Sequence, residues 1–352
     1  MTGITNYQWI LQKRPEGRVK RSDFEFRQSE LPPLQAGECL VKVLYMAMDP
    51  ATRGWMSASG GYLEPLPLGG PVMGVTIGKV VESRNPQIEA GTVVAGVGQW
   101  AKYMIVGPQQ ISPVRTGSLG ILAPMDVSTG FELPMYLHAM GTSGGTAHRG
   151  LFDIAAMKAG DKVLVSGAAG SVGSLVAQMA RLKGAAKVVG IAGGAEKCAT
   201  VVRDYGCDAC IDYRATDNLS AAIAREFPDG LDVFFDNVGG DILEAAIDNL
   251  AKGARIAVSG MVSQYNNSEP APGPRNLWNL VVNTARIEGF LVGDYFGTPA
   301  SEAAYREIAA WLKAGQLNAR LDVREDFENT PDVFNQLFTG GNNGRLVMKV
   351  PD

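Results

Sequence analysis

The sequence predicts an α/β chain of two domains: a β-rich barrel or sandwich in the first third, then a doubly wound, mostly parallel sheet. Three observations predict it. The chain has 352 residues, and at roughly 150 residues per domain that is about two domains. Short apolar runs punctuated by Gly and Pro fill the N-terminal third, the pattern of regular short strands. Beyond about residue 130, apolar strands alternate with helical patterns, the mark of parallel crossover units.

The strand runs of the first third are Tyr7–Leu11, Phe24–Glu30, Glu38–Tyr45, Val75–Glu82, Thr92–Ala95 and Tyr103–Val106. Clusters such as Leu31-Pro32-Pro33 and Gly69-Gly70-Pro71 separate them. Lys162–Ser166 opens the second pattern as a short strand. Val172, Leu175, Val176, Met179 and Leu182 then fall on one helical face, and Gly184 is placed to end that helix. A strand over Lys187–Ala192 and a helix over Glu196–Tyr205, stopped by Gly206, come next. Further strands are expected at Ala209–Asp212, Val233–Asp236, Arg255–Ser259 and Ile287–Leu291, with helices at Leu219–Phe227 and Asp241–Leu250. After a helix over Ser301–Ala314 the tail returns to strand at Ala319–Val323 and Arg345–Val350. Glu269–Arg275, with three prolines, reads as an ordered loop.

Composition narrows the function classes. With 46% hydrophobic and 19% charged residues the chain is neither disordered nor a coiled coil. A net charge of -4 argues against a nucleic-acid binder, which carries a basic footprint. No apolar run approaches the roughly 18 residues of a membrane span, and Met1–Arg14 lacks the pattern of a signal peptide. Four cysteines, Cys39, Cys198, Cys207 and Cys210, are too few for a disulfide scaffold of this size, so a reducing cytoplasm is the expected compartment. Glycine is abundant, 43 of 352 residues or about 12%, against a usual ~7%.

The Lys162–Ser166 strand runs into Gly167-Ala168-Ala169-Gly170-Ser171-Val172-Gly173 and then the amphipathic helix. The dinucleotide fingerprint is G-x-G-x-x-G/A at such a turn. Ala168 replaces its first glycine, while Gly170 and Gly173 keep the other two. Gly170 would let the backbone approach a pyrophosphate, Gly173 would let the helix pack on the strand, and the helix N-terminus would offer its N–H groups. An acid at the tip of the next strand would select NAD through the ribose hydroxyl. The tip here reads Ile191-Ala192-Gly193-Gly194-Ala195-Glu196-Lys197. It has no strand-tip carboxylate, and Lys197 would attract a 2′-phosphate, so NADPH is the expected cofactor.

Three tempting signals lead elsewhere. Gly141-Thr142-Ser143-Gly144-Gly145 matches the hydrolase elbow G-x-S-x-G. That elbow needs an acid and then a histidine downstream, and the only histidines are His138, before the serine, and His148, five residues after it. Cys207-x-x-Cys210 has no second ligand pair for structural zinc, and inert buried thiols are expected; no metal is expected. No tyrosine is followed four residues later by lysine, as a short-chain dehydrogenase would require.

The order of domains and several segments resemble the zinc-independent medium-chain dehydrogenase/reductases. The resemblance is to the branch of leukotriene B4 12-hydroxydehydrogenase/prostaglandin reductases, plant double-bond reductases and bacterial curcumin reductases. It is carried by Met48-Asp49-Pro50 with Arg53-Gly54, Gly78–Ser83, Ala168–Gly173, Asp236–Gly240, Ser259–Asn266, Gly289–Tyr295 and Asn342-Asn343-Gly344-Arg345. It implies a GroES-like β-barrel catalytic domain over residues 1–128 and 316–352. An NADPH-binding Rossmann-type domain with a doubly wound parallel sheet would cover 129–315. It implies an NADPH-dependent reductase of carbon–carbon double bonds conjugated to a carbonyl, working as a homodimer on a small molecule. The hydride would go to the β-carbon and a proton to the α-carbon. A quinone or carbonyl reductase on the same scaffold is the second reading, and a non-catalytic NADPH-binding protein the third.

By match to family positions, Gly170, Ser171, Val172, Gly173 and Ser174 would lie at the pyrophosphate. Lys197 and Tyr213 would reach the 2′-phosphate. Asn237, Ser259, Gly260, Met261, Tyr265, Phe290, Leu291, Val292 and Asn342 would line the rest of the cofactor site. Tyr265 would also assist protonation. Ala51, Arg53, Tyr62, His148, Gly293 and Tyr295 would shape the substrate pocket. Ala51, His148 and Gly293 stand where relatives often carry large rings, so a pocket open to bulky aromatic substrates is expected.

Overall fold

The computed structural model describes residues 3–58, 61, 63–113, 120–269 and 271–352. It divides into two compact units, Met1–Leu137 with Leu321–Asp352, and His138–Arg320. The expected divisions stood at 128/129 and 315/316, and side-chain contacts explain both differences. Leu137 is buried with Ala47, Ile77 and Val347 of the first unit. Asn318 exchanges hydrogen bonds with Gln178 of the second, at 2.7 and 3.0 Å.

In chain order the strands begin with β1 (Thr5–Leu11), β2 (Phe24–Glu30), β3 (Cys39–Ala47), β4 (Met73–Ser83) and β5 (Val93–Gln99). They continue with β6 (Tyr103–Val106), β7 (Ala123–Pro124), β8 (Lys162–Ser166), β9 (Lys187–Ala192) and β10 (Ala209–Asp212). The last are β11 (Leu231–Asp236), β12 (Leu250–Val258), β13 (Arg286–Gly289), β14 (Leu321–Arg324) and β15 (Arg345–Lys349). The helices are α1 (Ala51–Trp55), α2 (Thr142–His148), α3 (Ser171–Leu182), α4 (Ala195–Tyr205), α5 (Leu219–Glu226), α6 (Gly240–Ile247), α7 (Trp278–Val282), α8 (Pro299–Lys313) and α9 (Thr330–Thr339).

In the first unit β1 and β2 pair as an antiparallel ladder with Trp9 opposite Phe26. The main sheet runs β14-β15-β3-β4-β5-β7, with β6 on β3. Among the described residues this pairing path stays open from β14 to β7. Trp9, Trp100, Phe327 and Phe334 are fully buried in its core. The tail is therefore part of this sheet, as its strand character implied.

The second unit is a six-stranded parallel sheet in the order β10-β9-β8-β11-β12-β13. Numbered from β8 that is 3-2-1-4-5-6, the doubly wound order, with the ligand crevice beyond the carboxyl ends of the strands where the order reverses. The helix boundaries follow local chemistry. Gly184, just past α3, has φ +83°, and Gly206 at the end of α4 has φ +69°, a conformation that only glycine adopts without cost. Thr298 caps α8 by accepting from the Ser301 N–H, and Pro299 opens its first turn.

α2 is unmarked in the sequence pattern because its own glycines disfavour it. Packing overrides that preference: a Cβ at Gly144 would sit 1.8 Å from the Ala139 carbonyl oxygen. A Cβ at Gly145 would meet the Tyr305 hydroxyl at 2.5 Å, so Gly144 and Gly145 are packing residues. Among the described residues no helix is long and apolar enough to cross a membrane.

Candidate nucleotide and substrate site

The site is built on the carboxyl ends of β8, β9, β11, β12 and β13. After β8 the chain turns at Gly167, φ +59°, and the Gly170 N–H donates to the Gly167 carbonyl at 2.8 Å. A Cβ at Gly173 would lie 2.3 Å from that same carbonyl oxygen, so the first turn of α3 sits directly on the loop. Ala168, in place of the first fingerprint glycine, is accommodated by Gly190 on β9, where a Cβ would meet the Ala168 methyl at 2.7 Å. Ser171 and Val172 form the first turn of α3 and Ser174 is buried behind it. The first N–H groups of any helix have no intrahelical partner, so this turn is a ready anion cradle. Ser143 of α2 reaches Ser171, Oγ to Oγ, at 2.9 Å.

A hydrogen-bond network ties the neighbouring strand ends. Asp236, fully buried at the end of β11, accepts from Ser166 Oγ at 2.7 Å and from the N–H groups of Val238 and Gly239. Burial pushes its carboxyl up, and these donors oppose the shift. Asn237 donates through Nδ2 to the Ser166 carbonyl at 2.7 Å and accepts from Ser259 Oγ at 2.7 Å. Asn237 and Ser259 are thus held in place before any ligand arrives.

Beyond β12 and β13 opens a pocket of about 510 Å³ lined by Val258, Ser259, Gly260, Met261, Tyr265, Gly289, Phe290, Leu291 and Asp294. Six of these are predicted site residues from two separate stretches of chain. Tyr265 turns its hydroxyl back over its own loop, where the oxygen accepts from the Met261 N–H at 3.2 Å. The phenolic proton is still available to donate. Burial raises the Tyr265 phenol above its ordinary range, against that hydrogen bond. Arg149 donates to the Leu291 carbonyl at 2.7 Å and lies 6.0 Å from the Phe290 ring centre. Gly150 and Gly145 leave room for Phe290 and Val292, whose side chains a Cβ would meet at 2.5 and 3.1 Å. Val258, Gly289 and Asp294 complete the lining without having been predicted as site residues, although Gly289 and Asp294 lie within the Gly289–Tyr295 segment.

At the tip of β9, Gly193, Tyr213 and Arg214 converge. A Cβ at Gly193 would lie 2.8 Å from Tyr213 Cε1 and 2.9 Å from Arg214 Nε. The half-buried Lys197 stands on the first turn of α4. Asp212 spends one carboxylate oxygen on the N–H groups of Gly194 and Arg214, at 2.8 and 3.0 Å. Those two hydrogen bonds hold its carboxyl below the usual range. Arg214 is a second cation at this corner, and the basic residue directly after Tyr213 was its one sequence signal.

Residues 7–114 match the family model described as the N-terminal domain of oxidoreductase, and residues 171–314 match that described as zinc-binding dehydrogenase. The NADPH-dependent curcumin reductase of Escherichia coli is 34% identical over 98% of this chain and 97% of its own. The NADP-dependent 2-alkenal reductase of Nicotiana tabacum is 36% identical over 99% of this chain and 98% of its own. The crystal structure of CurA from Vibrio vulnificus in complex with NADPH has a TM-score of 0.87 at 32% identity, covering 98% of this chain and 99% of that one. The chain belongs to the medium-chain dehydrogenase/reductase family. Within it, this reductase groups with the curcumin and alkenal reductases. Among its described residues no three His, Cys, Asp or Glu side chains gather to hold a metal ion.

Several predicted residues of the reductase are not among those lining this pocket. Arg53 is one. Its buried guanidinium bonds the carbonyls of Pro15 and Gly17 and Ser57 Oγ, so it anchors the N-terminal segment within the first unit. His148 is another. Its ring packs on Phe152 at 4.8 Å and shares Glu307 with Lys183, and burial lowers its imidazole against the pull of Glu307. Tyr295 is buried, bonds the Ala300 carbonyl at 3.3 Å, and has a phenol pushed up to about 12 by burial, with Asp153 adding to it. Val292 and Gly293 lie in the same short helical turn. In the first unit Ala51 begins α1 against the core, and Asn342 Nδ2 caps its own turn on the Gly344 carbonyl at 2.9 Å. Tyr62 lies outside the described residues.

Proposed function

We propose that this reductase uses NADPH to reduce the carbon–carbon double bond of α,β-unsaturated ketones or aldehydes. The observation that carries the reading is the pocket beyond β12 and β13, where a half-buried, protonated phenol, Tyr265, lines the same space as Phe290 and Leu291. The residues present fit the cofactor. The loop of Gly167–Gly173 leaves no space for a side chain at 173 and opens onto a helix N-terminus. Around the β9 tip stand Lys197, Tyr213 and Arg214, and Asp212 there accepts from the Gly194 N–H. The relatives that bear NADP in their names, and the neighbour bound to NADPH, support the same cofactor.

Gly170, Ser171, Val172, Gly173 and Ser174 would hold the pyrophosphate, and Lys197 with Tyr213 the 2′-phosphate. Asn237, Ser259, Gly260, Met261, Phe290, Leu291, Val292 and Asn342 would line the remainder. Bound NADPH supplies a hydride to the β-carbon of the substrate. Tyr265 donates its O–H to the substrate carbonyl oxygen, where negative charge grows as the enolate forms. The Met261 N–H keeps the phenol oriented, and the α-carbon takes a proton from Tyr265 or from water at the pocket mouth. An NADPH-oxidation screen over enals, enones, quinones and simple ketones tests the reaction. Saturated carbonyl products support it; allylic alcohols or hydroquinones without saturated product would overturn it.

Tyr265→Phe is expected to lower kcat about 10–100-fold, the low end of general-acid assistance because water can substitute in an open pocket. NADPH affinity should stay near that of the native chain. The raised phenol pKa fixes the sign of the pH dependence: the donor is present at neutral pH and is lost only above the ordinary phenol value of about 10. A native alkaline limb beginning near pH 8, or an unchanged kcat in the variant, would return Tyr265 to a purely structural role.

The family reading also implies a metal-free enzyme. Dialysis against a chelator is expected to leave activity intact; stoichiometric zinc, with activity lost on its removal, would contradict this. A cytoplasmic location suits a chain whose four cysteines are all free.

A homodimer is part of the proposal. β13 ends the parallel sheet with all four residues exposed, and beside it in sequence Trp278, Val281 and Val282 are 71%, 64% and 60% exposed. An open strand edge with an exposed apolar helix next to it in the chain suits a second copy of the same surface. Light scattering should give twice the chain mass, and Trp278→Asp should shift it toward the monomer. A monomeric native protein would refute the dimer.

A further inference from the structure

Cys207 and Cys210 are neighbours in sequence, yet the sulfur bonded to Cys210 belongs to Cys198. The Cys210 thiol donates to Cys198 Sγ at 2.9 Å. Cys198 is in the first turn of α4, directly after Lys197, and Cys210 is on β10, three residues before Tyr213. Both are half-buried, whereas Cys207 is buried.

We propose that Cys198 and Cys210 are an oxidative modification site: a peroxide joins them in a disulfide that ties α4 to β10 and weakens the hold on the adenosine-phosphate end of NADPH. The pairing stands on geometry alone. The weakening rests on the reading of Lys197 and Tyr213 as phosphate ligands. A disulfide bond is about 2.05 Å long, so closing the gap moves the sulfurs by less than about 1 Å. That movement falls on the residue next to Lys197, and charge-assisted contacts depend steeply on distance.

The chemistry balances with hydrogen peroxide as oxidant. The Cys198 thiolate attacks one peroxide oxygen, the O–O bond breaks, and a sulfenic acid forms as hydroxide leaves and takes a proton to become water. The Cys210 sulfur then attacks the sulfenic sulfur, the S–S bond forms, and a second water leaves with the Cys210 proton. Two thiols are oxidised and one peroxide is reduced to two waters. Cys198 reacts first. Burial raises its thiol, but the hydrogen bond from Cys210 favours its thiolate, while Cys210 is raised strongly by burial and by donating that bond. Because the thiolate is the nucleophile, the reaction is slow at neutral pH and faster in alkali.

The test incubates the full-length protein with hydrogen peroxide at about pH 7 and about pH 9, alkylates the remaining thiols, and maps the peptides. The expected product is a Cys198–Cys210 disulfide, formed faster at the higher pH, with Cys39 and Cys207 still alkylated. The KM for NADPH is then expected to rise about threefold to tenfold, part of the value of one charged contact. Turnover with NADH should not change, and dithiothreitol should reverse the effect. Cys198→Ser and Cys210→Ala should each abolish the response. Four alkylated thiols, a Cys207–Cys210 bridge, or an unchanged KM for NADPH with the disulfide in place would each overturn the proposal. If Lys197→Ala fails to separate NADPH from NADH while the disulfide still raises the KM for NADPH, the phosphate-ligand reading fails and the modification site is upheld.

Discussion

Asp49→Ala is expected to destabilise the first unit by about 3–5 kcal/mol, the cost of leaving a buried charge without its partner. Asp49 and Arg345 form a two-pronged ion pair between residues almost three hundred positions apart. The arginine side chain is only 3% exposed and the aspartate 22%, so solvent screens the pair little. The pair joins the chain after β3 to the start of β15, which lie side by side in the main sheet. It gives a physical reason for two motifs that otherwise look unrelated, Met48-Asp49-Pro50 and Asn342-Asn343-Gly344-Arg345. Arg345→Met should be milder, because it replaces the buried charge with an apolar chain instead of orphaning it. Adding Arg345→Met to Asp49→Ala should recover part of the loss. Chemical denaturation of the three variants reads this directly. A cost below about 1 kcal/mol for Asp49→Ala would show that the arginine finds water or another acceptor.

Lys197→Ala is expected to weaken NADPH binding by about one to two decades while leaving NADH nearly unaffected. A charge-assisted contact to phosphate contributes about 1.5–3 kcal/mol, which is that factor in affinity. The corner around Lys197 supports the selectivity. Asp212 is held by the Gly194 and Arg214 N–H groups, and Arg214 adds a second positive charge beside Tyr213 at 5.8 Å from its ring centre. Arg214 should keep some preference for NADPH in the variant. Fluorescence titration with both cofactors distinguishes the outcomes: equal losses would remove Lys197 from the phosphate site.

Much of the second unit was legible because its signals are local. The strands β8, β9 and β10 coincide with the apolar runs, since each is a short run bounded by glycine or a polar turn. The ends of α3 and α4 were marked by Gly184 and Gly206, whose positive φ is a property of the residue itself. The nucleotide turn was readable with its first glycine missing, because Gly170 and Gly173 still met the steric demands of the helix start. The pocket residues Ser259–Met261, Tyr265, Phe290 and Leu291 came through family resemblance, and the parallel sheet brings their two segments to adjacent strand ends.

What the sequence by itself determined, then, was most of the strands, the helices α3, α4, α5, α6 and α8, and the chemistry of the turn between β8 and α3, because period, glycine conformation and helix capping act within a few residues. Only the tertiary structure decided which distant side chains meet. It gave Arg53 to the carbonyls of Pro15 and Gly17, His148 to Glu307, Asp49 to Arg345 and Cys210 to Cys198 rather than Cys207. It also folded α2 against the preference of its glycines, because close packing on Ala139 and Tyr305 outweighs their conformational cost. Those pairings depend on where the sheet returns each segment in space, and a side chain's type does not encode the distance at which its partner will arrive.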